Sequence, residues 1–422
     1  MRNLKGKIII SLLLASVLLV ATACGTEEKE GKVGVEIPKE TEFDEDAYEE
    51  IVAPNNELGF KLLAEVEADK HDNTFISPTS LFAALSMVYN GADGETKEEI
   101  AKVLQVKGID VSDLNQANAA LQSMLGKDSD AVQLDIANSI WLNDNFHFQE
   151  EFADNNKGYF NAEIKEIDVL DKASAKKIND WVKSATNEKI ENIVKDPLSP
   201  NLVALLLNAI YFKGDWTHEF DKKLTEKRPF HLKDGTTKEV PLMSMQRELA
   251  YMENDDFQAV KLPYGEEEMS MKVFLPNENK NLEEFKKSLT SETWSAWDAE
   301  FMSQEGTILL PKFQLEYEEV LNGALEKLGM GSAFDERADF TKMVQEDASL
   351  VISEVKQKTY IDVHEEGTEA AAVTSIEVRE TAAILGDPFH MEVNRPFFIA
   401  ITDEETGAIL FMGTIGNPQE AE

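Results

Sequence analysis

Apolar residues recur at helical spacing in the first part of the chain and at alternating spacing in the last. Leu58, Leu62, Leu63 and Val66 fall on one face of a 3.6-residue period and predict an amphipathic helix. Residues 81–89 read as a buried helix following Ser77-Pro78, with Ser80 placed as its N-cap. Residues 95–104 and 112–125 continue the helical pattern, and 173–185 carries Ile178, Trp181 and Val182 on one face. Between them, 131–142 alternates as a strand. Residues 202–212 are almost continuously apolar, as a strand covered on both faces requires. Residues 229–276 read as strands and turns, 282–301 as mostly helix, and 320–328 as helix again. Further strands are expected at 308–313, 351–363, 397–402 and 409–415. Helices mostly first and strands mostly last indicate an α+β fold rather than a wound parallel sheet.

One alternating run has a different makeup. Its even positions are Thr368, Ala370, Ala372, Thr374, Ile376 and Val378, all small or apolar. Its odd positions, Glu369, Ala371, Val373, Ser375, Glu377 and Arg379, mostly suit water. Period-two alternation over this length is what a half-buried strand requires. The run starts just after the strand expected at 351–363 and ends before the turn-rich Gly386-Asp387-Pro388. It is a segment able to enter a sheet.

The residues that open this run resemble a known hinge. Glu365-Glu366-Gly367-Thr368-Glu369-Ala370-Ala371-Ala372 is similar to the hinge of the reactive-centre loop of serpins, the large serine-protease-inhibitor family. Four other segments resemble serpin sequences in serpin order. Asn73-Thr74-Phe75-Ile76-Ser77-Pro78-Thr79-Ser80 resembles the shutter sequence. Asn208-Ala209-Ile210-Tyr211-Phe212-Lys213-Gly214-Asp215-Trp216 resembles a central-sheet strand and the breach tryptophan after it. Asn394-Arg395-Pro396-Phe397 and Gly407-Ala408-Ile409-Leu410-Phe411-Met412-Gly413 resemble the two C-terminal signatures.

The resemblance implies a serpin fold over residues 51–422: one large α+β domain with three β-sheets, about eight or nine helices and an exposed reactive-centre loop at about 365–390. It implies an inhibitor of serine-type endopeptidases that acts as a suicide substrate. A target serine protease would cleave the loop and form a covalent acyl-enzyme, and the severed loop would insert into the central sheet. Glu365, Gly367, Thr368, Ala370, Ala371 and Ala372 would then form the hinge, and Asn73, Ser77, Ser80, Asn208 and Trp216 the shutter and breach. The family's spacing from the hinge glycine places the reactive bond at Thr381–Ala382, with Arg379 and Glu380 as rivals. Where many serpins carry a shutter histidine, this chain has Gln357, which does not titrate near neutral pH. A non-inhibitory serpin serving as carrier or scaffold is the alternative within the family.

The ends and the charge refine the picture. Arg2, Lys5 and Lys7 precede an apolar stretch at 8–20, and Ala21-Thr22-Ala23-Cys24 resembles a bacterial lipobox. We therefore read 1–23 as a lipoprotein signal peptide, with acylation of Cys24. Residues 24–50 read as an acidic disordered tether; eleven acidic and three basic residues fall within 25–50. The expected location is the extracellular face of the bacterial cell membrane, with the domain extracellular if released. Cys24 is the single cysteine, so the folded part has no disulfide and no thiolate metal site. Loss of 1–23 removes three basic residues and no acidic one, leaving 38 basic against 80 acidic and a formal charge of −42. Such a field repels nucleic acid. It also argues against a heparin-type polyanion, because 113–127 has Lys127 as its sole positive charge. The expected state is a monomer.

The sequence contains no Gly-x-Ser-x-Gly elbow and no Walker loop. Gly329-Met330-Gly331-Ser332 reads as a helix stop, and His364-Glu365 has no second histidine four residues on. No enzyme activity, cofactor or metal is read from the six scattered histidines. The rival from another class is a lipid-anchored solute-binding protein, against which the strand-rich C-terminal half speaks.

Overall fold

The computed structural model describes residues 46–126, 129, 131–347, 350–368 and 387–420. Nine α-helices lie among them, and the strands hydrogen-bond into two sheets. The central sheet has six strands in the order Phe313–Val320, Ile352–His364, Gly367–Thr368, Ala204–Asp215, Val132–Asn143 and Glu163–Ile167. The second has nine, and the buried strands Phe397–Asp403 and Ile409–Ile415 lie within it.

The three sheets expected hydrogen-bond into two networks here, for a simple cause. The 17-residue strand Thr237–Glu253 serves two layers. It pairs with Glu226–His231 through its first residues, with Met302–Pro311 along its middle and with Phe257–Tyr264 through its last four. One continuous backbone therefore joins ladders that were expected to be separate.

Local chemistry accounts for most element ends. The first helix, Glu49–Glu65, begins inside the stretch expected as tether, where Glu49 and Glu50 suit the positive end of its dipole. In the helix Pro78–Gly91 the cap is Ser77 and not Ser80: the Ser77 side chain accepts from Ser80 N–H, and Pro78 occupies the first turn, where a missing N–H is harmless. Residues 282–301 form two helices, Leu282–Ser288 and Ser291–Asp298, because Thr290 and Thr293 make a reciprocal capping box between them. Gly329 ends Asn322–Leu328 at φ +109°, as expected for a stop.

The apolar run at 202–212 has two coverings. Ala204, Leu206, Ile210 and Phe212 face the main core, while Leu205, Leu207 and Ala209 face a smaller cluster built on Ile178 and Val182 of the helix Ser174–Ala185. Alternate residues thus reach opposite faces of one strand, and both faces are dry.

Candidate functional site

The central sheet is partly open at one end. Ile352–His364 pairs in parallel with Ala204–Asp215 from Ile352/Ala204 to Thr359/Ile210. Beyond Thr359 and Ile210 the two strands part, and the short strand Gly367–Thr368 lies between them, antiparallel to both. Thr368 stands opposite Val363 on one side and Gly214 on the other; Gly367 stands opposite His364 and Asp215. A Cβ on Gly367 would come within 2.2 Å of the Gly214 carbonyl oxygen, so only glycine fits this approach. Thr368 is fully buried, and its hydroxyl shares a 2.6 Å hydrogen bond with the hydroxyl of Tyr264. Its inward orientation is the one expected of the even positions.

Aromatic and charged groups hold this end. Trp216 stacks on Tyr264 at 4.3 Å, donates from its indole nitrogen to His364 O at 2.9 Å and from its backbone N–H to Glu366 O at 3.0 Å. Glu365 is buried and receives Lys312 Nζ at 2.9 Å and Thr225 Oγ1 at 2.8 Å. Burial pushes its carboxyl up, but the bonds from Lys312, its own backbone and Thr225 outweigh this and hold it below the ordinary range. Its stabilising share is thus present above the ordinary glutamate pKa and is lost as pH falls through the depressed one. Burial lowers the His364 pKa despite the nearby Asp362 and Glu366 carboxylates. Glu366 meets Lys222 at 2.5 Å.

Lower in the sheet, a buried polar network ties the two parallel strands to the helix Pro78–Gly91. Gln357 Nε2 donates to Asn208 Oδ1 at 2.6 Å and to Ser77 O at 2.9 Å, and Ser77 N–H donates to Gln357 Oε1 at 2.9 Å. Asn208 Nδ2 donates to Asn138 Oδ1 at 2.6 Å and also to Ser80 Oγ. All five residues are buried. Sequence reasoning missed Asn138, although an asparagine interrupting Val132, Leu134, Ile136, Ile140 and Leu142 on alternate positions was a visible signal. Asn208→Ala should lower stability by on the order of 3 kcal/mol, because it strands buried groups of Gln357, Asn138 and Ser80. The midpoint of urea unfolding checks this; an unchanged midpoint would show that the network carries no load.

Asn73 lies apart from that network. Its Oδ1 accepts from Gly416 and Asn417 N–H at 2.9 and 3.0 Å, which pins the chain after the strand Ile409–Ile415.

On the outer face, Lys356 and Lys358 are nearly buried. Their ammonium groups donate to Ile193 O at 2.9 Å and Asn192 O at 2.8 Å, and also meet Glu318 and Glu316. Ile190 and Ile193 belong to the small outer cluster. The connector between Ser174–Ala185 and Ala204–Asp215 is therefore fastened to the strand Ile352–His364, across the line where the two parallel strands meet. Ala370, Ala371, Ala372, Arg379, Glu380, Thr381, Ala382 and Cys24 lie outside the described residues.

Comparison with known proteins gives one family. The model of the serpin (serine protease inhibitor) family matches residues 53–418. An uncharacterized serpin-like protein of Methanosarcina acetivorans is 31% identical over 429 residues, covering 99% of this chain and 100% of the relative. The native-state crystal structure of the thermophilic serpin tengpin superposes with a TM-score of 0.80 at 33% identity, covering 87% of this chain and 94% of tengpin. Human thyroxine-binding globulin, in its complex with thyroxine, superposes with a TM-score of 0.80 at 25% identity, covering 89% and 100%.

Proposed function

The chain belongs to the serpin family, and from that premise we propose that it inhibits serine-type endopeptidases as a suicide substrate whose cleaved loop inserts into the central sheet. The observation that carries this reading is the wedge of Gly367–Thr368 between two parallel strands. Its register can be continued. Each further pair of loop residues moves two places down both strands, so Ala370 would face Phe212 and Ile361, and Ala372 would face Ile210 and Thr359. Thr374 would arrive between Asn208 and Gln357, where its hydroxyl could take up the bonds those amides lose. Ile376 would follow between Leu206 and Val355. Every one of these neighbours faces inward, as the small and apolar even positions require.

The chemistry is borrowed from the protease. Its serine attacks the carbonyl of the reactive residue and forms an ester; the leaving amine becomes the new N-terminus of the C-terminal part, which stays in the second sheet through Phe397–Asp403 and Ile409–Ile415. Insertion from Thr368 to Thr381 moves that ester roughly 40 Å at about 3.3 Å per residue. Distortion of the protease then halts hydrolysis of the ester. Strand addition of this kind is a general recognition mode, and the handling of serpin loops is its known illustration. Thyroxine binding, which the complex of one structural relative shows for that protein, gives no reason for three consecutive alanines at 370–372.

The reactive bond in this proposal is Thr381–Ala382, a site suited to elastase-like or broad subtilisin-like proteases. The chain is held as a monomer on the extracellular face of a bacterial membrane by a lipid on Cys24, a reading supported by the basic start, apolar stretch and lipobox-like residues. Mixing the full chain with a panel of serine proteases should give a detergent-resistant adduct and, on denaturation in the detergent, a C-terminal peptide beginning at Ala382. A peptide beginning at Glu380 or Thr381 would move the bond to Arg379 or Glu380. Complete cleavage by every protease without any adduct would refute the trap.

A further inference from the structure

A cavity of about 640 Å³ lies away from the central sheet, where several strand ends meet the helix Leu282–Ser288. Its volume is within the range of small-molecule sites. Leu232, Pro276, Leu282 and Pro396 supply apolar walls. Thr74 and Thr414 also line it, and their hydroxyls satisfy each other at 2.8 Å. That surface is polar but demands no partner.

The carboxylates Asp72, Glu278 and Glu283 and the bases Lys233, Lys280, Lys286 and Arg395 also line the cavity, and these charges are unevenly paired. Lys280 is taken by Asp256 at 2.5 Å, and Lys286 meets Glu283 at 3.5 Å. Arg395 has no carboxylate in ion-pair contact among the described residues. Its Nε donates to Pro276 O at 2.8 Å and its Nη1 to Asn394 Oδ1 at 3.1 Å, both neutral acceptors, and Nη2 has no hydrogen-bond partner among the described residues. Burial lowers the pKa of this guanidinium, with partial relief from the Glu278 charge. Arg228 and Arg337, by contrast, each meet two carboxylates. In a chain with 80 acidic and 41 basic residues, a half-buried arginine bonded to neutral oxygens, beside a cavity with apolar as well as charged walls, keeps donor capacity for an anion. A guanidinium presents five donors in a planar fork that fits a carboxylate or sulfonate, and neutral acceptors leave most of that capacity unused.

We propose that this cavity binds a small organic anion, a carboxylate or sulfonate carried on an apolar body, with Arg395 as its charge partner and Leu282 and Pro396 against its hydrocarbon. The site is independent of loop insertion. Titration calorimetry of the full chain with naphthalene-2-sulfonate should show saturable one-to-one binding. Binding should weaken at least tenfold in Arg395→Gln, which keeps a donor for the Pro276 carbonyl, and also in Leu282→Trp, which fills the space without touching the charge. Melting curves establish that each variant is folded; for a variant that is not, the other carries the test. The uncharged naphthalene-2-methanol should bind at least tenfold more weakly than the sulfonate, and inorganic sulfate should not displace it at equal concentration. Absence of saturable binding overturns the proposal, as does full affinity in a folded variant. Equal affinity for the uncharged analogue, or displacement by sulfate alone, overturns the pairing of a charge with an apolar body.

Discussion

Cleavage of the chain between residues 379 and 382 should raise its melting midpoint by roughly 10–15 °C. The gain follows from converting one parallel ladder into two antiparallel ones around a new strand. About ten additional backbone hydrogen bonds contribute about 1 kcal/mol net each. Burial of Ile376 and Val378 adds about 1.5–3 kcal/mol apiece. Breaking the direct pairing between Ala204–Asp215 and Ile352–His364 returns part of this, leaving a gain on the order of 10 kcal/mol. Domains of this size unfold with about 2.1 cal/mol/K of entropy per residue, which converts the gain to the stated shift. Scanning calorimetry of intact and nicked protein decides the matter. Equal midpoints would mean that the severed loop stays outside the sheet.

Ala372→Arg should turn the protein from an inhibitor into a substrate. By the register of Gly367–Thr368, residue 372 comes to rest between Ile210 and Thr359, both fully buried and facing the main core. Neither neighbour carries a charge that could pair with a guanidinium, and the Thr359 hydroxyl already donates to Phe75 O at 2.6 Å. Burying an unpaired charge there costs several kcal/mol, and the stalled loop leaves time for water to hydrolyse the ester. The number of inhibitor molecules consumed per protease trapped should rise at least tenfold, with the rate of loop cleavage little changed. Efficient trapping by this variant would exclude insertion past residue 372.

The parts of this architecture that could be read from residues alone are those with a strong period. The strand Ile409–Ile415 and the helix near 95–104 appear within a residue of their expected ends, because burial on one or both faces imposes a clear pattern. The helix Glu150–Phe160 escaped notice since only Phe152, Asn156 and Phe160 are buried along it. Of the strand Phe313–Val320 only Phe313 is expected as strand and Val320 is expected to open a helix; residues 314–319 carry no assignment, because their exposed Glu316 and Glu318 mark neither state. Ser80 was read as a cap, yet Ser77 takes that role and frees the Ser80 hydroxyl for Asn208, a partner 128 residues away. Long-range pairings of this kind leave no local trace. The Arg395 cavity is the extreme case, since its walls come from separate strand ends and one short helix.

The connector fastened by Lys356 and Lys358 rests on a cluster distinct from the main core. A segment resting on so small a cluster is of the kind that opens locally at a free energy below that of global unfolding. Because it is continuous with one of the parallel strands and bonded to the other, widening the sheet must detach it. A tighter fastening would preserve the waiting protein for longer but slow the capture of its prey. A looser one would quicken capture and let the molecule spend itself unprovoked. Under the proposed insertion mechanism, shelf life and speed would thereby be set in opposite senses by the same two ammonium groups.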